Sequence, residues 1–221
     1  MMGREEILQT IAHEKIIAIV RGVAVKDMSS VMEALLKGGI CMAEITFDHR
    51  SEADRKQTLK ALELVRTKFE NQMYLGAGTV LTTQDVEDAK QAGAQYIISP
   101  DTNGHVIARS RELELVSMPG AFTPTEIAKA YFCGADIVKL FPAATLGVGY
   151  INAIRGPLGF IPMSAVGGVT PENIPQFLGA GISCFGIGSN LVSAAKTAAG
   201  DFAAIEEAAR AFTNTLAMLH S

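Results

Sequence analysis

Three cysteines, Cys41, Cys133 and Cys184, are all that the chain has. They are odd in number, far apart and without a CxxC pair, which argues against a disulfide framework or a structural zinc site. Basic charge is not in excess either. The 19 Lys and Arg stand against 23 Asp and Glu, a net charge of -4. Little is left to neutralise a phosphate backbone, so no nucleic-acid partner is expected. No uninterrupted apolar run reaches bilayer-spanning length, so no membrane partner is expected. The stretch from Met1 to Gln9 carries Arg4, Glu5 and Glu6 where a secretory signal would need an apolar run. The histidines His13, His49, His105 and His220 are scattered, with no HxxxH or HxH pair, and the nine methionines read as core filler. These absences exclude a metal constellation and leave a soluble, cytoplasmic protein as the expectation.

What is present points to a packed α/β chain. Residues 1–221 are 48% hydrophobic and show no composition break, so one domain is expected. Short apolar runs (Ile16–Val20, Ala43–Phe47, Met73–Leu75, Tyr96–Ser99, Leu113–Ser117, Ile137–Phe141, Phe160–Val166, Cys184–Ile187) carry few internal charges, as strands covered on both faces do. Helical stretches lie between them. Thr123-Pro124 and Thr170-Pro171 each read as a cap followed by proline at the first helical position. Strand ends placed at Arg21, Glu44, Thr79, Ser99, Gly120, Lys139, Gly167 and Ser189 recur at one βα unit per step and count to eight. That count predicts a single (β/α)8 TIM barrel, with Phe202–Leu219 as its last covering helix. A doubly wound open sheet is the alternative.

In such a barrel the reactive groups belong at the C-terminal ends of the strands, so the informative residues are polar ones that break the apolar pattern. Of ten lysines only Lys139 sits inside such a run, flanked by Ile137, Val138, Leu140 and Phe141. Desolvation lowers a lysine's pKa and frees the amine to attack a carbonyl; the plainer alternative is an ion pair or a side chain that reaches out to water. Glu44 is the matching anomaly among the acids, a carboxylate suited to moving protons if it is partly dry, or else the ion-pair partner of Lys139. Glu114 and Asp136 touch strands only at their N-terminal ends, the stability face. Arg21 could grip a carboxylate at the barrel mouth, and Thr79 could hydrogen-bond a ligand oxygen. Gly167-Gly168 after the seventh strand and Gly188-Ser189 after the eighth fall where this architecture binds phosphate, through exposed amides and the N-terminus of the helix that follows. His49 reads as a loop histidine that could line the site.

The motifs AIVRG (18–22), AEITF (43–47), GAGTV (76–80), ISP (98–100), MPGAFTPTE (118–126), VKLFPA (138–143), VGGVTPEN (166–173) and GIGSNL (186–191) together cover nearly the whole chain. In this order they resemble the 2-keto-3-deoxy-phosphogluconate / 4-hydroxy-2-oxoglutarate aldolase family of class I aldolases. The resemblance implies a (β/α)8 barrel, usually trimeric, that cleaves a phosphorylated 2-keto-3-deoxy sugar acid to pyruvate and glyceraldehyde 3-phosphate. Lys139 matches its Schiff-base lysine and Glu44 its general acid/base. Thr79 matches the residue on the pyruvyl carboxylate, and Gly167, Gly168, Gly188 and Ser189 match the phosphate turns. Lysine acts as the electron sink, so no cofactor is implied. Arg21 matches members whose first strand ends in RG or RA. Others carry a carboxylate-binding arginine four residues after the glutamate, where this chain has Asp48, so either Arg21 anchors alone or Arg50 swings in. Ala144 stands where many members have glutamate. The galactonate epimer is the nearest rival substrate, and a phosphate-binding isomerase or sensor is the rival of another class.

Overall fold

The structure, a computed structural model, describes residues 3–220; Met1, Met2, Ser221 and the side chain of His220 lie outside the described residues. Its strands are β1 (Ile16–Val20), β2 (Met42–Thr46), β3 (Tyr74–Gly78), β4 (Tyr96–Ile98), β5 (Val116–Met118), β6 (Gly120–Ala121), β7 (Val138–Leu140), β8 (Met163–Val166) and β9 (Cys184–Ile187). The helices are α1 (Arg4–Glu14), α2 (Val25–Lys37), α3 (Glu52–Lys68), α4 (Thr83–Gln91), α5 (Gly104–Glu112), α6 (Pro124–Phe132), α7 (Ala143–Leu158), α8 (Ile174–Gly179), α9 (Ala194–Ala198) and α10 (Ala203–His220). Every strand pair is parallel, in the order β5-β4-β3-β2-β1-β9-β8-β7-β6.

The two end strands of that order are pieces of one stave. Pro119 separates β5 from β6 and has no N–H to give the ladder, so β5 pairs with β4 while β6 pairs with β7. The Lys139 amide meets the Pro119 carbonyl at 2.9 Å. The ring closes through this kinked stave, and the barrel has the eight staves that the spacing predicts. No described helix is long and apolar enough to cross a membrane.

Side-chain alternation divides the buried residues. Outward positions such as Ala43, Ile45, Leu75 and Phe185 pack beneath the helices. Inward positions Ile17, Met42, Tyr96, Val116, Ile137 and Cys184 fill the barrel toward the strand N-termini, where Ile7 and Ile11 of α1 cover them. That closing role of α1 has a sequence signal, two isoleucines four residues apart on one helix face. Asp136, expected on the stability face, is tied to this helix by an ion pair with Arg4 and accepts the Ser117 amide at 2.8 Å.

Two local expectations change. The fifth strand begins at Val116 rather than Leu113, because Leu113 caps α5 and Glu114 turns the chain at φ 55°. Thr123-Pro124 does start a helix, with Thr123 and Glu126 forming a capping box. Thr170-Pro171 does not, since α8 begins only at Ile174. There the Asn173 side chain spans the preceding turn instead, accepting from the Thr170 amide at 2.9 Å and donating to the Gly168 carbonyl at 2.9 Å. The expected last helix is α10, which packs on α2 and α8.

Candidate functional site

All eight site residues expected from the sequence line one cavity of about 450 Å³ at the C-terminal end of the staves. Glu44 is placed by β2 and Lys139 by β7, both on inward positions, and both are buried at 2% and 6% exposure. Glu44 has room because β3 presents glycine beside it: a Cβ on Gly78 would sit 2.6 Å from Glu44 Oε2. That oxygen is buried without a hydrogen-bond partner. Lys139 Nζ lies 5.1 Å from the centroid of the Phe141 ring. Among the described residues no ion pair joins it to Glu44, so the structure does not support the reading of these two as a neutralised structural pair.

Burial dominates the titration of both groups. It pushes the Glu44 carboxyl up, against the opposing pull of Lys139 and Arg21. It pushes the Lys139 ammonium down, with Glu44 opposing and Arg21 adding to the shift. A lysine biased toward the neutral amine beside a carboxyl biased toward holding its proton is the pairing that imine formation and breakdown need.

Arg21 and Thr79 follow β1 and β3 and meet across the mouth, Arg21 Nη2 donating to Thr79 Oγ1 at 3.2 Å. Thr79 has a left-handed backbone, φ 56°. Asp48, at the position of the alternative arginine, takes the Arg50 guanidinium on both of its oxygens, at 2.6 to 3.0 Å. Arg50 is therefore held outside the cavity, and Arg21 is the guanidinium that lines it.

The glycine turns follow β8 and β9, and β9 pairs with β1, the strand that leads to Arg21. Gly167 and Gly168 have φ of 92° and 74°, and a Cβ on Gly168 would collide with Ala144. Among the described residues the amides of Gly168, Ser189 and Asn190 donate to no protein acceptor, which leaves them for a ligand. Asn190 Nδ2 ties the two turns together through the Val169 carbonyl at 2.8 Å. The expected help from a helix N-terminus changes: α8 and α9 start well beyond the glycines, so what the turns present to the cavity is free backbone amides.

Sequence reasoning missed Phe141, Pro100, Val166 and Asn190 as lining residues. It also missed Ser164, which neighbours Lys139 in the ladder and whose buried Oγ has no hydrogen-bond partner. An apolar residue, a serine in a strand, or a proline or asparagine in a turn breaks no pattern, so these left no signal.

Comparison with known proteins gives consistent matches. The family described as KDPG and KHG aldolase matches residues 7–208. The chain is 36% identical to a probable 2-dehydro-3-deoxy-6-phosphogalactonate aldolase of Rhizobium meliloti (strain 1021), over 80% of this chain and 81% of that protein. A native KDPGal structure superposes with TM-score 0.82 and 29% identity, covering 92% of this chain and 94% of the other. A KDPG aldolase from Legionella pneumophila, with pyruvate captured as a covalent carbinolamine, superposes with TM-score 0.80 and 28% identity, covering 90% and 93%.

Proposed function

The chain belongs to the KDPG and KHG aldolase family, and on that premise we propose that it is a class I aldolase cleaving 2-keto-3-deoxy-6-phosphogluconate to pyruvate and glyceraldehyde 3-phosphate, with 4-hydroxy-2-oxoglutarate as a further substrate. The observation that carries the reading is the single cavity in which a buried lysine, a buried glutamate, a mouth arginine and two glycine turns converge.

Neutral Lys139 attacks the C2 ketone, and the carbinolamine loses water with Glu44 supplying and removing protons. The resulting iminium nitrogen takes the electron pair released as the C3–C4 bond breaks. Glu44, directly or through water, accepts the C4 hydroxyl proton, and the aldehyde leaves. Protonation of the enamine at C3 and hydrolysis of the imine return pyruvate and free Lys139. Arg21 and Thr79 hold the carboxylate. The Gly167, Gly168, Gly188 and Ser189 turns, after β8 and β9, hold the phosphate, fixing which bond lies over Lys139. No step calls for a cofactor. The active form is a cytoplasmic homotrimer built of single-barrel chains.

The galactonate epimer is the second reading, favoured by the 36% identical Rhizobium meliloti relative and the KDPGal neighbour. Relative cleavage rates on the two C4 epimers decide between them. The reaction class is tested by intact mass after incubation with pyruvate and borohydride. Wild type is expected to gain one pyruvate-sized adduct and Lys139→Ala none. No adduct on either protein would remove the aldolase reading and promote an isomerase or sensor.

A further inference from the structure

We propose that His49 is a positioning residue that holds Thr79, and through it Arg21, in the geometry that grips the substrate carboxylate. The inference rests on the aldolase reading and names a part of its anchor that neither the motifs nor the departure at Asp48 identifies.

Thr79 is the strained point of the mouth. A β-branched residue at φ 56° occupies a backbone region that costs it about 1–2 kcal/mol, so the surroundings must fix it there. The carbonyls along this turn are held one by one. Gly78 O accepts the Phe47 amide at 2.8 Å, and Val80 O accepts Ser99 Oγ at 2.7 Å. Between them, Thr79 O accepts His49 Nε2 at 2.8 Å. A carbonyl can only accept, so the ring carries its proton on Nε2. The first and last of these donors are buried residues immediately after β2 and β4, whereas the middle one is an exposed loop side chain.

His49 is placed for this by its neighbours. The Asp48–Arg50 pair joins the two residues that flank His49 in the loop. The Phe47 ring lies 5.9 Å from the imidazole, tilted by 30°, and backs it. From the held Thr79 the chain of contacts continues to Arg21 at 3.2 Å. One loop thus trades a direct arginine for an indirect device: Asp48 removes Arg50 from the site, and His49 stiffens the threonine that orients the remaining guanidinium.

The test compares wild type, His49→Ala and His49→Gln, whose amide nitrogen can reach where Nε2 sits. The readout is the pyruvate concentration giving half-maximal borohydride-trapped adduct on Lys139, with hydroxyacetone as a ketone of similar size that has no carboxylate. His49→Ala is expected to raise the half-saturating pyruvate about five- to tenfold, the worth of one hydrogen bond. It should leave saturating adduct yield and the hydroxyacetone trapping rate unchanged, and His49→Gln should recover most of the loss. An unchanged half-saturation in His49→Ala overturns the inference. So does an equal loss on both ketones, which would mean general loosening of the site, or a failure of glutamine to recover. Failure of the aldolase reading looks different, because wild type itself would then trap no pyruvate.

Discussion

Toward the N-terminal end of the staves the inward positions Ile17, Met42, Ile137 and Cys184 are apolar filler beneath α1. Two residues further along the same staves they become Ile19, Glu44, Lys139 and Gly186, and all four line the cavity. On the opposite wall the same step leads from Tyr96 and Val116 to Ile98 and Met118, which stay in the apolar cluster. One pleat, about 7 Å along a strand, therefore separates the part of the interior that stabilises the fold from the part that can do chemistry. Below, the inward groups are held by apolar packing. Above, Glu44 Oε2 and Ser164 Oγ are buried without partners, and the Lys139 ammonium is desolvated. Such groups cost stability, which the apolar end must offset.

The largest expected effects come from removing that upper pair. Lys139→Met should lower kcat by about 10⁴ or more, because the covalent route is lost. Glu44→Gln should lower it by about 10²–10³, the usual worth of a general acid/base. Both variants should melt at or above the wild-type temperature at neutral pH, since each removes a desolvated ionisable group. The pH dependence carries the sign. The folded state holds the Glu44 proton more tightly than the unfolded chain does, so stability from this group is greatest at acid pH and falls as pH rises through its raised pKa. The folded state holds the Lys139 proton less tightly, so stability rises with pH from its lowered pKa toward the ordinary lysine range. The melting-temperature gain of Glu44→Gln should accordingly grow with pH above the carboxylate range, and that of Lys139→Met should shrink in alkali. Gains that ignore pH would break the link between burial and titration at this end.

How much of this the sequence discloses follows from which residues contradict their surroundings. Lys139 and Glu44 are charges in apolar runs, and the paired glycines after the last two staves recur at a set place, so both features stand out in the chain itself. The eight-stave count does too, because each βα step leaves its own apolar run. Pro119 interrupts a strand without changing that count. The turn at Glu114 depends on one backbone angle that no residue type dictates. Asn173 moves the start of α8 through two side-chain bonds that compete with a cap-and-proline start. His49 meets the Thr79 carbonyl across two staves, a contact between distant positions that looks in sequence like any loop histidine.

The lower end should respond in stability and not in rate. Ile11→Ala is expected to cost about 2–4 kcal/mol, the usual loss for emptying a fully buried isoleucine site. Its kcat and KM for cleavage at temperatures below melting should match wild type. Denaturant unfolding checks the first part and steady-state kinetics the second. A large drop in kcat would mean that α1 sets the height of Lys139 and not only the closure of the barrel.

Asp136 gives the smallest and sharpest version of the same test. Its carboxylate is almost wholly buried and serves two elements at once, pairing with Arg4 of α1 and accepting the Ser117 amide of β5. Arg111 stands further off, at 3.9 Å. Arg4 is partly exposed, so the pair is screened on one side and its worth is close to that of a surface ion pair. Arg4→Ala should therefore cost less than about 1 kcal/mol, because Asp136 keeps its amide donor and can draw on Arg111. Asp136→Ala should cost about 1–2 kcal/mol, because it also strands a buried N–H. Both should leave kcat/KM unchanged, since Asp136 precedes β7 and its contacts are with Arg4 and Ser117 at the α1 end of the barrel, away from the cavity. Equal losses from the two substitutions would place the whole effect in the ion pair and none in the amide, and would show that α1 is fastened by charge where the geometry says it is fastened by packing and one satisfied N–H.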